Sequence, residues 1–171
     1  YTIQLDIDND MLDDEEIFDI IDYEKTDITP ILNFYTTLDP LNQDWIPYLK
    51  HSILIYNNSQ NSLHDFEKQN PQLNNYLQNI AIYFIWRYFL KATFDKDVLS
   101  KVEFMAISIA LIKILFFCQW LENKTLTLED CTEIVKNFSK EIEYSEDNLQ
   151  KIEDIFYDST DFSINNIIGI F

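Results

Sequence analysis

The stretch FMAISIALIKILFFCQWL, residues 104–121, decides how the chain is read. It is long and apolar enough to suggest a membrane span. Lys113 at its middle argues against one, because a charge at the centre of a bilayer costs about 2.5–3.5 kcal/mol on insertion scales. Ser108 and Gln119 interrupt the run further. Asp97, Lys101, Ser108 and Gln119 fall at i, i+4, i+11 and i+22, one narrow polar stripe on a 3.6-residue period. The reading is a helix over 97–122, nearly surrounded by protein, with no membrane span. A second apolar run, YLQNIAIYFIWRYFL (76–90), follows Asn70-Pro71, where proline suits the first turn of a helix. Helices over about 71–93 and 97–122 should therefore pack together at the centre of the fold.

Outward from this pair, the composition supports an all-helical chain. Of 171 residues, 47% are hydrophobic, enough to bury a core within a single domain, 1–171. One glycine (Gly169) and four prolines leave little of the turn chemistry that hairpins need. The expected fold is an irregular all-α bundle of about seven to nine helices around two long central apolar ones. The first 27 residues hold eleven of the thirty acids, yet Met11, Leu12, Ile17, Phe18 and Ile21 form one apolar face, so 1–27 reads as an acidic amphipathic helix. Short helices should fill 28–69, two of them opened by Thr29-Pro30 and Asp39-Pro40 as cap-and-proline pairs, with the second bent or restarted at Pro47. NNSQN (57–61) reads as a polar loop. Residues 70–171 form the core bundle. The chain starts at Tyr1 with neither an initiator methionine nor a secretory signal, and is expected to be a fragment of a longer, cytoplasmic protein.

The charged string FSKEIEYSEDNLQKI (138–152) is the most distinctive polar segment. Upstream, Thr127 and Asp130 have the spacing of a capping box and open a helix with apolar positions Cys131, Ile134, Val135, Phe138 and Ile142. That helix should break near Tyr144-Ser145, where Ser145 can cap the next. On the wheel Lys140 points away from the core, and Ser139 and Glu143 share one shoulder. Carboxylates such as Glu141 and Glu143 are expected to face water in a chain this acidic.

Several chemistries find no support. A net charge of −18 disfavours nucleic acid and favours a basic protein partner. Cys118 and Cys131 lack a CxxC spacing and read as reduced core residues; His51 and His64 are isolated, so no metal site is expected. No phosphate loop or nucleophilic triad is present, and no catalytic residue is assigned. Arg87, the only arginine, lies in IYFIWRYF. It is expected to be largely buried and paired with Glu141 or Glu143, since a buried guanidinium needs an anion.

The order LDPLNQDW (38–45), NPQLNNYLQNIAIYFIWRYF (70–89), FFCQWLENK (116–124), LTLEDCTEIVKNFSKEIEYSEDNLQKI (126–152) and DFSINNIIGIF (161–171) resembles the carboxy-terminal region of the flagellin lysine-N-methylase (FliB-type) family. The most characteristic piece, NFSKEIEYSEDNL (137–149), is similar to a Ser-Arg-x-x-Glu-His-Ser run followed by Asn-Leu, with Lys140 in place of the arginine and Tyr144 in place of the histidine. The resemblance implies a bacterial protein that serves S-adenosylmethionine-dependent methylation of flagellin lysines. It also implies an iron–sulfur cluster held by an amino-terminal cysteine motif outside this chain. Partners would then be a lysine-rich protein and the amino-terminal part of the same methylase. Ser139, Glu143 and Asn148, with Arg87, are the candidate partner-binding or structural polar residues. The alternative is a non-catalytic acidic interaction module that binds a basic protein.

Overall fold

The computed structural model describes residues 27–162 and 166–167. The acidic helix expected over 1–27 lies outside them, apart from Asp27. Among the described residues the chain is helical with no strand, and eight α-helices follow one another: α1 Thr29–Tyr35, α2 Trp45–Ser59, α3 Leu63–Gln69, α4 Leu73–Phe84, α5 Ala92–Asp95, α6 Val98–Asn123, α7 Leu128–Phe138 and α8 Glu146–Asp158. Single π turns at Ile85–Phe89 and Ser139–Glu143 extend α4 and α7.

Helix α6 is the axis. It contacts α2, α3, α4, α7, α8 and the first π turn, and it buries Ile107, Ile112, Leu115, Phe116 and Phe117 completely or nearly so. Among the described residues it is the one helix long and apolar enough to cross a membrane, and 72% of its most apolar window is buried inside the bundle. That explains its all-round apolarity without a bilayer. Its polar stripe is used internally. Asp97 caps the helix by accepting from the Ser100 amide at 3.1 Å, and Lys101 pairs with Glu153 at 2.8 Å and Asp95 at 3.3 Å. Gln119 donates to Asp130 at 3.0 Å, and Lys113 reaches Glu67 at 2.7 Å.

The second expected central helix is central on one side only. Leu73, Phe84 and Tyr88 face α6, whereas Ile82, Trp86 and Leu90 are exposed, so its apolar surplus lies on the outside of the bundle. Two other expectations also shift. Pro40 opens no helix: residues 38–44 form an irregular loop, and α2 begins at Trp45 and carries Pro47 straight through its first turn, where the missing N–H costs nothing. Residues 57–61 belong to the end of α2 and a 3₁₀ turn, Gln60–Ser62.

Glu103 on α6 is 5% exposed, and burial raises its pKa above the ordinary carboxylate value, with Asp97 adding to the shift. An acid whose folded pKa is raised favours folding in its protonated form and weighs against it once ionised. Stability linked to Glu103 therefore falls as pH rises through and above its ordinary range. Glu103→Gln is expected to melt above the parent at pH 7, with a gap that narrows by pH 4. A calorimetric pH series checks this, and a gap that widens on acidification would contradict it.

Candidate functional site

The polar centre of the domain is built where α7 ends. Thr127 caps α7 reciprocally with Asp130: the Asp130 amide donates to the Thr127 hydroxyl at 3.2 Å, and the Thr127 amide to Asp130 at 2.8 Å. Cys131, Ile134 and Phe138 face the core. One extra residue in the following π turn, Ser139–Glu143, resets the phase of the helix, and the chain breaks at Ser145, whose hydroxyl accepts from the Asn148 amide at 3.2 Å. Glu141 and Glu143, two residues apart, leave this turn on opposite sides.

Glu141 turns toward the 38–44 loop. Its carboxylate accepts from the Leu41 amide at 2.7 Å and from the Asn42 amide at 3.1 and 3.2 Å. Asn148, at 0% exposure, completes the clamp. Its Nδ2 donates to the carbonyls of Asp39 at 2.8 Å and Glu141 at 3.0 Å, and its Oδ1 accepts from the Asp39 amide at 3.0 Å. Lys151 pairs with the Asp39 carboxylate outside. An irregular loop has no partners of its own for its backbone, and these two side chains supply them.

Glu143 turns toward α4. Its side chain is 2% exposed, and Oε2 accepts from the hydroxyls of Tyr83 and Tyr88, both at 2.8 Å, while the Nε of Arg87 stands 3.9 Å away. Burial first, and then the bond to Glu143, pushes the Tyr83 phenol up to about 12. Burial and the Glu143 charge push Tyr88 further in the same direction. Both phenols thus stay donors through the neutral range. The side chain of Arg87 is half exposed and lies over the Tyr88 ring, 6.0 Å from its centroid. Glu143 is the partner expected for Arg87, but the expected burial falls on the acid and not on the arginine. Arg87→Met is accordingly expected to cost under about 1 kcal/mol in a denaturant melt, as exposed ion pairs do, and not the ~3–5 kcal/mol of a buried pair broken from one side.

Two grooves flank the π turn. One, of about 570 Å³, runs between Leu41, Asn42, Lys140 and Tyr144. The other, about 470 Å³, is a mostly apolar trough between α4 and α7 lined by Tyr76, Ile80, Tyr83, Leu128 and Val135, with Glu143 in its wall. Ser139 and Lys136 border both grooves.

A family model described as FliB lysine N-methylase C-terminal domain matches residues 3–170. The chain belongs to that family. No curated protein and no solved structure matches it. In this FliB C-terminal domain, the family-like string acquires physical roles. Glu143 and Asn148 are buried connectors, Ser145 is a helix cap, and Ser139 sits on the ridge between the grooves. The two positions that depart from the pattern, Lys140 and Tyr144, are both exposed. The expectation that Glu141 and Glu143 face water is overturned, because backbone amides and phenols replace the water each would need. Sequence reasoning missed Tyr83 and Tyr88. Their placement five residues apart, across the π turn that follows α4, was the available signal.

No group of three or more His, Cys, Asp or Glu side chains among the described residues could hold a metal ion. The residues present do not fit the iron–sulfur cluster implied by the family. Cys118 is buried on α6 and donates to the Ser52 carbonyl at 3.2 Å, Cys131 is buried on α7, and burial raises both thiols, to about 12 and about 11. A cluster needs four exposed-edge thiolates, and this chain has two protonated core thiols.

Proposed function

We propose that this FliB C-terminal domain serves lysine N-methylation as a docking and scaffolding element. It holds a lysine-rich protein, flagellin by family resemblance, toward a methyl-transfer centre elsewhere in the methylase. The observation that carries the reading is the charge imbalance, thirty acids against twelve lysines and arginine. Exposed acids line α8 at Glu146, Asp147, Asp154 and Asp158. The shoulder of Ser139, Glu143 and Asn148 is a poorer contact face than its sequence suggests, since two of its three members are buried and Lys136 and Lys140 flank the third.

The apolar outside of α4 favours the scaffolding half of the reading. Ile82, Trp86, Leu90 and Phe94 follow one another at i+4 steps and are all exposed, Trp86 at 72% and Phe94 at 88%. A stripe of that size is an interaction surface. The amino-terminal part of the same methylase is its expected occupant, because the family is one of carboxy-terminal domains. S-adenosylmethionine and the cluster belong, in this reading, to that other part.

The test is capture of flagellin by the domain across a salt series. Surface charges are screened over ~8 Å at physiological ionic strength, so capture is expected to weaken several-fold between low and physiological salt and to drop again when the four α8 acids are neutralised. Capture indifferent to both would sink the docking reading. An acidic module unrelated to methyl transfer would bind basic proteins equally well, yet its removal would leave lysine methylation by the full-length protein intact.

A further inference from the structure

We propose that the trough between α4 and α7 is a binding site for an alkylammonium group, of which the lysine side chain is the protein-borne form. The site is built from opposite ends. Along its length Tyr76, Ile80, Leu128 and Val135 offer apolar wall, suited to a chain of methylenes. At its inner side stands Glu143, a carboxylate with a 2% exposed side chain. Its Oε2 is held by two phenols, and the single guanidinium nearby approaches that same oxygen. Oε1 has no hydrogen-bond partner among the described residues. A buried carboxylate oxygen without a donor is costly unless something supplies one.

The chemistry selects the ligand. A phosphate or carboxylate is repelled by Glu143. A neutral apolar chain covers the walls and leaves Oε1 unmet. A primary ammonium on an aliphatic stem meets both demands, with charge-assisted hydrogen bonding at its head. Tyr83 and Tyr88 fix the rotamer of Glu143 from the far oxygen, so the acceptor is set before the ligand arrives. Lys136 at the mouth does not oppose a cation strongly, being paired with Glu133 at 3.0 Å.

For a protein-borne lysine the proposal rests on the docking reading above; for a free alkylammonium it rests on the trough alone. The experiment is titration of the chain, carbon-13-labelled at tyrosine, with Nα-acetyl-lysinamide and separately with Nα-acetyl-norleucinamide, which keeps most of the stem and lacks the charge. Lysinamide is expected to shift the Tyr76 and Tyr83 ring resonances saturably with a roughly millimolar dissociation constant, and norleucinamide to bind at least about tenfold more weakly. Glu143→Gln, which keeps an acceptor for both phenols, should weaken lysinamide about tenfold or more. Thr132→Trp, at an exposed position on the trough rim, should abolish binding.

Equal binding of the two amides, undiminished binding by Glu143→Gln, or tyrosine resonances that lysinamide leaves unmoved would overturn the proposal. If Glu143→Gln fails to fold, binding that survives Thr132→Trp overturns it alone. The two readings fail separately. Lysinamide binding without salt-dependent capture of flagellin removes the docking model and leaves the trough. Capture with unmoved tyrosines does the reverse.

Discussion

Asn148→Leu is expected to destabilise the domain by about 2–4 kcal/mol, although it replaces one buried side chain by another of similar volume. The substitution strands three backbone groups at once: the amide and carbonyl of Asp39 and the carbonyl of Glu141. Each buried polar group left without a partner costs ~1–3 kcal/mol. Asp39 lies at the exposed edge of its loop, so part of that loss is recovered from water, which keeps the total below the sum. Asn148→Asp separates the contributions. It retains an acceptor for the Asp39 amide but offers no donor to either carbonyl, and should be at least as damaging at neutral pH. Urea melts with an unchanged m-value would assign the loss to the native state. Trp45, 5% exposed at the start of α2 directly after the clamped loop, supplies a fluorescence readout of loop release. A change below ~1 kcal/mol would mean that the 38–44 loop is held by something other than this clamp.

That clamp also marks where sequence reading stops. Helix α6 was legible because all-round apolarity over some twenty residues has few soluble solutions, and the capping pair Thr127/Asp130 and the Ser145 cap were legible because capping is local. Glu141, Glu143 and Asn148 were not. Whether a carboxylate faces water depends on what arrives from one hundred residues away, in this case the amides of Leu41 and Asn42, and no local periodicity encodes that. The π turn compounds the difficulty: one inserted residue rotates everything after it, so a wheel drawn at 3.6 residues per turn misplaces Ser139 and Glu143 together. Arg87 was misread for a related reason. Its apolar neighbours Trp86 and Leu90 are exposed, so the run that suggested burial belongs to the outer stripe. Helix ends were blurred by the lack of glycine, since α5 and α6 end on Lys96 and Lys124 in the left-handed conformation, a place where glycine is the ordinary signal.

Phe117→Ala is expected to be the most damaging single truncation, at about 3–5 kcal/mol. Phe117 is fully buried on the axis helix, with its ring stacked on Trp120 at 6.3 Å and edge-on to Phe66 at 5.5 Å and Tyr56 at 6.3 Å. Its removal therefore opens a void shared by α2, α3 and α6, and three helices converging on one ring cannot all close in. Phe117→Leu should recover more than half of the loss. Loss of the Trp120 near-ultraviolet circular dichroism signal in Phe117→Ala would place the damage at this stack. Combined with Asn148→Leu the effects should add within ~0.5 kcal/mol, because no partner is shared between the two sites. A coupling well above that would mean that the loop clamp and the aromatic stack are two faces of one packed unit. The trough would then depend on both, since Phe116, the neighbour of Phe117, lines it.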